Sequence, residues 1–214
     1  MGIEHSLFAG RLIHLGAIQY EKDAEIEARW THDPEYLRLL DESPVRPRSV
    51  SQVKKQYEEI EKEANEHHNM FYYTIRARPG NLPEASIPDS SADPNGDRLI
   101  GFVQIYWIEW THGNGWVKIG IGDPGDRGHG FGTEAFKMVM RYAFTELNLT
   151  RLSVSIPGDN PIALHVFKKA GFIEEVRRRE AIQRDGEWYD LIHLGILKDE
   201  WINDSTGKRG ANDC

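Results

Sequence analysis

Six of the thirteen residues in GIGDPGDRGHGFG, Gly120 to Gly132, are glycine, and the helix pattern TEAFKMVMRYAFTEL follows at once. Glycine is entropically costly to order, so a cluster of it in a folded chain implies that backbone, not side chain, must approach something closely. Amide N–H groups at the start of a helix are unpaired and carry about half a positive charge, which suits a diphosphate. Glycines at 128, 130 and 132 would admit phosphate oxygens to those amides without obstruction by Cβ, and Arg127 and His129 could add side-chain contacts.

Three phosphate-loop patterns compete for this stretch. A P-loop needs Gly-Lys-Ser/Thr at the helix start, and Gly132-Thr133-Glu134 has no lysine. Gly120, Gly122 and Gly125 spell the dinucleotide fingerprint G-x-G-x-x-G, but Pro124 sits inside it and the helix begins several residues later, which is the wrong context. The third pattern is RGHGFG, Arg127 to Gly132, which fits Arg/Gln-x-x-Gly-x-Gly/Ala. Other chemistries find little. The single cysteine, Cys214, excludes an internal disulfide, a cysteine zinc site and a buried cysteine nucleophile. His67 and His68 lack further ligands at metal spacing, so no metal is expected, and there is no G-x-S-x-G elbow.

Periodicity supplies the elements that must position the loop. Arg11–Ile18 reads as a strand, residues 23–32, 33–41 and 49–67 as helices, and Met70–Ala77 as a second strand. Residues 79–97, polar and studded with proline, read as a mobile insertion. Strand pattern resumes over Arg98–Trp110 and Trp116–Gly122, with a turn between. In the latter, Val117, Ile119 and Ile121 form an apolar face, while the opposite face loses its side chains at Gly120 and Gly122. Phe136, Val139, Met140, Ala143, Phe144 and Leu147 then lie on one helical stripe that must pack on a sheet. After a strand at Arg151–Ile156, Asn160 reads as a helix N-cap, Pro161 as the first helical residue and Gly171 as the residue past the end. Phe172–Gln183 and Trp188–Leu197 read as strands joined at Asp185-Gly186, a hairpin signal, with a flexible tail at 204–214. The mixed order of strands and helices predicts an α/β fold: one domain over residues 1–203, a mixed central β-sheet flanked by helices, and a C-terminal β-hairpin.

From Trp116 through the Asn160-led helix to KKAGF, this arrangement resembles the GNAT superfamily of N-acetyltransferases, closely over roughly Arg98 to Leu197 and more loosely before that. Within that superfamily it is similar to the branch holding ribosomal-protein N-terminal and spermidine acetyltransferases. The resemblance implies acetyl-CoA as co-substrate, its pyrophosphate on Arg127, Gly128, His129, Gly130, Phe131, Gly132 and Thr133. It implies that the backbone of Gly120, Ile121 and Gly122 lines the pantetheine arm, with an N–H near Ile121 stabilising the oxyanion. Asn160, Ala163, Phe167 and Lys168 would flank the cofactor on the other side. Many relatives place a tyrosine in the short helix to protonate the departing thiolate, and here Phe167 stands at that position. A positioned acid is worth about 10²- to 10⁴-fold, yet a thiol with a pKa near 8.5 is a fair leaving group without one. Glu109, at a strand end, and His112, in the adjoining turn, are the candidates for general base.

The acceptor expected from this resemblance is a primary amine: a polyamine, another small cationic amine, or a peptide N-terminus. A non-catalytic acyl-CoA-binding module is the competing expectation, and Phe167 favours it. The formal net charge of −8 argues against nucleic acid as a partner. Residues 21–66 hold 13 acidic and 8 basic side chains, read as solvated helix faces or, functionally, as an acidic wall that attracts a cationic substrate. No apolar run is long enough to span a bilayer and the start lacks a signal-peptide layout, so a cytoplasmic protein without membrane contact is expected. MGIEHS fits a loose myristoylation pattern, and a homodimer is a further expectation.

Overall fold

The computed structural model describes residues 6–40, 42–80 and 97–205. Its elements are β1 (Ile13–Gly16), α1 (Tyr20–Trp30), α2 (Pro34–Leu40), α3 (Val50–His67), β2 (Phe71–Ala77), β3 (Arg98–Glu109) and β4 (Asn114–Ile121). They continue with α4 (Phe131–Thr145), β5 (Arg151–Pro157), α5 (Pro161–Lys169), β6 (Ile173–Arg184), β7 (Glu187–Leu197) and α6 (Lys198–Ser205). Seven strands form one sheet in the order β1-β2-β3-β4-β5-β7-β6. Every neighbouring pair is antiparallel except β4 and β5. The expected α/β architecture, mixed sheet and terminal hairpin are all present. Most of the expected insertion (residues 81–96) and the tail from 206 onward lie outside the described residues.

The helices form where their punctuation dictates. Ser49 and Gln52 make a reciprocal capping box at α3, and Asn160 Oδ1 accepts from the Ala163 N–H at 3.0 Å to start α5 ahead of Pro161. The stripe on α4 is buried as its spacing predicts: Phe136, Val139, Met140, Ala143 and Phe144 pack against Val117, Leu152, Val154 and Ile156 of the sheet. This is the main core. A second, smaller cluster of Ala24, Ala28, Val53 and Tyr57 binds α1 to α3 on the opposite face.

Three features depart from the periodicity. The first strand is shorter than Arg11–Ile18, because the N–H groups of Arg11, Leu12 and Ile13 donate to the Glu134 carboxylate at 3.0, 2.7 and 3.1 Å. A side chain of α4 therefore takes the place of a strand partner at β1's entrance. Helix α1 begins at Tyr20, before Asp23, since the Asp23 carboxylate is buried, accepts from the Gln19 N–H at 2.7 Å and pairs with buried Arg76 of β2 at 2.8 Å. Helix α6 has no counterpart in the sequence reading. Glu200 accepts from the Leu197 N–H at 2.8 Å to start it, and Trp201 packs on Phe144 with ring centroids 5.3 Å apart.

The parallel pair matters most for the site. β4 and β5 are in register only over Asn114–Trp116 and Arg151–Ser153, and beyond that they part. On the bare face of β4, a Cβ on Gly120 would lie 2.6 Å from Leu40, and one on Gly122 would lie 2.0 Å from the Trp30 ring. Those glycines are thus required by α1 and α2, which press directly onto the strand.

Candidate active site

The glycine loop is held rigidly at its base. Asp123 accepts from the Gly125 N–H at 2.8 Å around a single 3₁₀ turn, and buried Asp126 pairs with Arg98 at the start of β3 at 2.5 Å. Gly128 and Gly130 then adopt φ of +82° and +87°, left-handed conformations that glycine alone takes without strain. Gly130 is the N-cap and offers no side chain. The first amide bonded into α4 is Glu134, to the Gly130 carbonyl at 3.0 Å. Among the described residues, the amides of Phe131, Gly132 and Thr133 have no acceptor. The Phe131 ring is buried, which fixes this open helix start against the core.

Side chains of the loop serve it differently. The Arg127 guanidinium donates to the carbonyls of Ile121 and Gly122 at 3.2 and 2.9 Å and faces Asp33 at 3.5 Å, so it ties the loop to the end of β4 and the start of α2. His129 and Thr133 are exposed, and the His129 ring lies 6.2 Å from that of Phe131.

Where β4 and β5 part, a cleft of about 120 Å³ opens, lined among others by Leu40, Tyr106, Ile119, Ser155, Asn160, Ala163 and Phe167. The Gly122 N–H bonds to Ile100 of β3, so strand alternation directs the Ile119 and Ile121 N–H groups away from β3, toward the side β5 has left. Ser155 Oγ on the facing strand is buried without a hydrogen-bond partner. Asn160 Nδ2 donates to the Leu39 carbonyl at 3.3 Å and so fastens α5 to α2 across the cleft. Phe167 is buried against Phe136 and Phe172, at 4.7 and 5.4 Å between ring centroids, and presents hydrocarbon only. Lys168 points elsewhere and pairs with Glu174 at 3.0 Å. Glu109 and His112 do not line this cleft. Glu109 sits opposite Asn114 at the far end of the β3–β4 hairpin, beside Trp116, Arg151 and His193.

A second hollow of about 130 Å³ lies under α2, with Leu40 and Lys118 bordering both spaces. Its wall brings together Glu27 of α1, Arg46 and Arg48 of the α2–α3 connection, Gln104 of β3 and Lys118 of β4. Glu27 is buried and accepts from the Tyr57 hydroxyl at 2.7 Å and the Tyr72 hydroxyl at 3.5 Å. Burial pushes its carboxyl above the usual range, while those hydrogen bonds and nearby Arg48 pull it down. Sequence reading did not single out Glu27, Tyr106, Ser155 or the arginines. The one available signal was the i, i+4 spacing that puts Asp23 and Glu27 on the same buried side as Ala24 and Ala28.

Open amides at a glycine-capped helix stand beside a parallel strand pair that separates, a geometry able to accept phosphate oxygens at the helix start. The chain belongs to the acetyltransferase (GNAT) domain family, whose pattern matches residues 13–173. It is similar to the spermidine N(1)-acetyltransferase of Vibrio cholerae, with 31% identity over 50% of this chain and 61% of that protein. It is also similar to the Bacillus subtilis protein named "Putative ribosomal N-acetyltransferase YdaF", with 34% identity over 55% of this chain and 70% of that protein. The match thus spans about 61% of the length of the Vibrio relative. In fold, the chain resembles the Vibrio cholerae spermidine N-acetyltransferase solved with CoA and spermine: TM-score 0.71, 19% identity, 90% of this chain and 99% of that one. Among the described residues no helix is long and apolar enough to cross a membrane, and no group of three or more His, Cys, Asp or Glu could hold a metal.

Proposed function

We propose that this chain transfers the acetyl group of acetyl-CoA to a primary amine by direct attack of the amine on the thioester. The observation that carries the reading is the row of open amides at Phe131, Gly132 and Thr133, set at the mouth of the β4–β5 split. Diphosphate oxygens fit a cradle of this kind, where Gly128 and Gly130 leave no Cβ in the way. The co-substrate supplies an activated acetyl group when bound. The chain's own residues do the rest. The outward N–H groups of Ile119 and Ile121 replace a lost strand partner with the amide-bearing arm, and the Ile121 N–H is held to stabilise negative charge on the acetyl oxygen. Such a donor, preorganised, contributes roughly 3 kcal/mol.

Phe167 has no proton to give. Tyr106 and Ser155 are the hydroxyls that line the cleft among the described residues, and the unpartnered Ser155 Oγ is our candidate to donate to the departing sulfur. Neither Glu109 nor His112 borders the cleft, so solvent or Glu42, exposed at its rim, is left to receive the amine proton. Arg127 acts by holding the loop's base. Cytoplasmic residence and a homodimer remain part of the proposal, and polyamines enter it through the names of the relatives.

One observation favours a second reading. The hydrocarbon of Phe167, where relatives carry a hydroxyl, suits a module that binds acyl-CoA without turnover. Calorimetry with CoA and with NAD, together with thiol release from acetyl-CoA across a panel of amines, tests both readings. Enzymatic function predicts CoA binding, no NAD binding and amine-dependent thiol release. CoA binding without release on any amine would favour the module, and absence of CoA binding would remove both.

A further inference from the structure

The geometry points to an acceptor that is an amine carrying an oxyanion, a carboxylate or a phosphate, and not to a polyamine. This rests on acetyl transfer in the β4–β5 cleft, as proposed above. The hollow under α2 adjoins that cleft, with Leu40 and Lys118 lining both, and a molecule whose amine lies in the cleft is taken to reach past them into the hollow. Among the described residues, Arg46 and Arg48 line the hollow together with Lys118 and one carboxylate, Glu27. That carboxylate is already engaged by Tyr57 and Tyr72.

Among the described residues, Glu27 is the one acidic side chain of residues 21–66 that lines this space. Glu21 pairs with Lys54, Asp23 with Arg76, Asp33 with Arg127, and Glu61 accepts from Tyr20, all outside the hollow. The described acids of the sequence reading's acidic wall, Glu27 apart, thus lie outside the hollow, and the wall the acceptor meets carries Arg46 and Arg48. A polyamine would bring several ammonium groups against Arg46 and Arg48, and like charges brought together repel. An oxyanion would instead accept from guanidinium donors, the geometry in which arginine is strongest.

The placement of Arg48 is built into the fold. Its backbone N–H donates to Thr31 Oγ at 2.8 Å, Thr31 in turn donates to the Ala28 carbonyl at 2.7 Å, and its guanidinium donates to Gln56 of α3. The charges also give the acceptor a direction. Glu42 borders the cleft and is exposed, whereas the arginines border the hollow, so an ammonium entering past Glu42 leaves its oxyanion toward Arg46 and Arg48.

Matched acceptors test this directly: O-phosphoethanolamine against ethanolamine, β-alanine against β-alaninamide, and spermidine alone. Thiol release is measured at saturating acetyl-CoA, with rates compared per concentration of free amine. The oxyanion-bearing member of one pair should exceed both its neutral partner and spermidine by about tenfold in kcat/KM, as expected for a charge-assisted contact. Arg46→Gln and Arg48→Gln should each raise KM for that acceptor by about tenfold, with kcat and the KM for acetyl-CoA within about twofold. The preferred pair separates phosphate from carboxylate. Arg46 is exposed, so its variant reads the charge even if Arg48→Gln disturbs the fold. Higher kcat/KM for spermidine or for the neutral partners would overturn the inference and leave acetyl transfer standing. Thiol release that is no faster with any of these amines than without one would overturn both.

Discussion

The two ends of the candidate site are made of different material. At the mouth of α4, the proposed recognition falls to backbone: open amides, two left-handed glycines, and side chains that brace the loop from below. Under α2 it falls to side chains from four separated segments, Glu27, Arg46 and Arg48, Gln104 and Lys118, that meet only in the folded chain. A backbone cradle serves any member of a family that binds the same diphosphate. A side-chain hollow can change its occupant by substitution alone, which is where likeness to spermidine acetyltransferases should carry least.

The contrast can be broken or sharpened by experiment. The largest effect is expected at the acceptor end's foundation. Arg76→Ala would strand buried Asp23 and cost about 3–5 kcal/mol, read as a lower urea midpoint, because removing one partner leaves an uncompensated charge. Gly130→Val, at φ +87°, should weaken CoA binding by about 100-fold or more in calorimetry, since a β-branched residue is strained there and crowds the cradle. Its circular dichroism should remain that of the folded protein. Normal CoA affinity in that variant would refute the loop assignment.

Smaller effects separate roles within the cleft. Ser155→Ala should lower kcat by about tenfold at unchanged KM for acetyl-CoA, if its hydroxyl meets the departing sulfur, since the loss would fall in the transition state alone. Phe167→Tyr should leave CoA affinity within about twofold, because the proposed diphosphate contacts are backbone amides elsewhere. A large loss would show that α5 is misplaced relative to the ligand. The smallest expected effect lies outside both regions. Burial, and then Arg178, hold the His193 imidazole below its ordinary range. The folded state then binds fewer protons than the unfolded one, so thermal stability should fall as pH drops below about 6.5, and His193→Gln should flatten that dependence.

Legibility in the sequence follows the same division. The glycine loop, the α4 stripe, the Asn160-Pro161 start and the hairpin turn are local signals, each set by a few adjacent residues, and the structure contains all of them. The bare face of β4 was legible too, but its reason was not. Trp30 and Leu40 fill it, and their arrival depends on how α1 and α2 pack. Glu134 shortening β1 from 121 to 123 residues away is a long-range hydrogen bond that no periodicity records. The lining of the hollow under α2 was the hardest to read, since counting acids along residues 21–66 does not show that packing sets Arg46 and Arg48 beside Glu27 there.

The most direct test of the account observes the amides themselves. With CoA titrated into ¹⁵N-labelled protein, the largest amide shifts are predicted at Phe131, Gly132 and Thr133, with a second group at Ile119 and Ile121. Saturable binding that leaves those five amides unmoved would contradict the claim that the start of α4 holds the diphosphate.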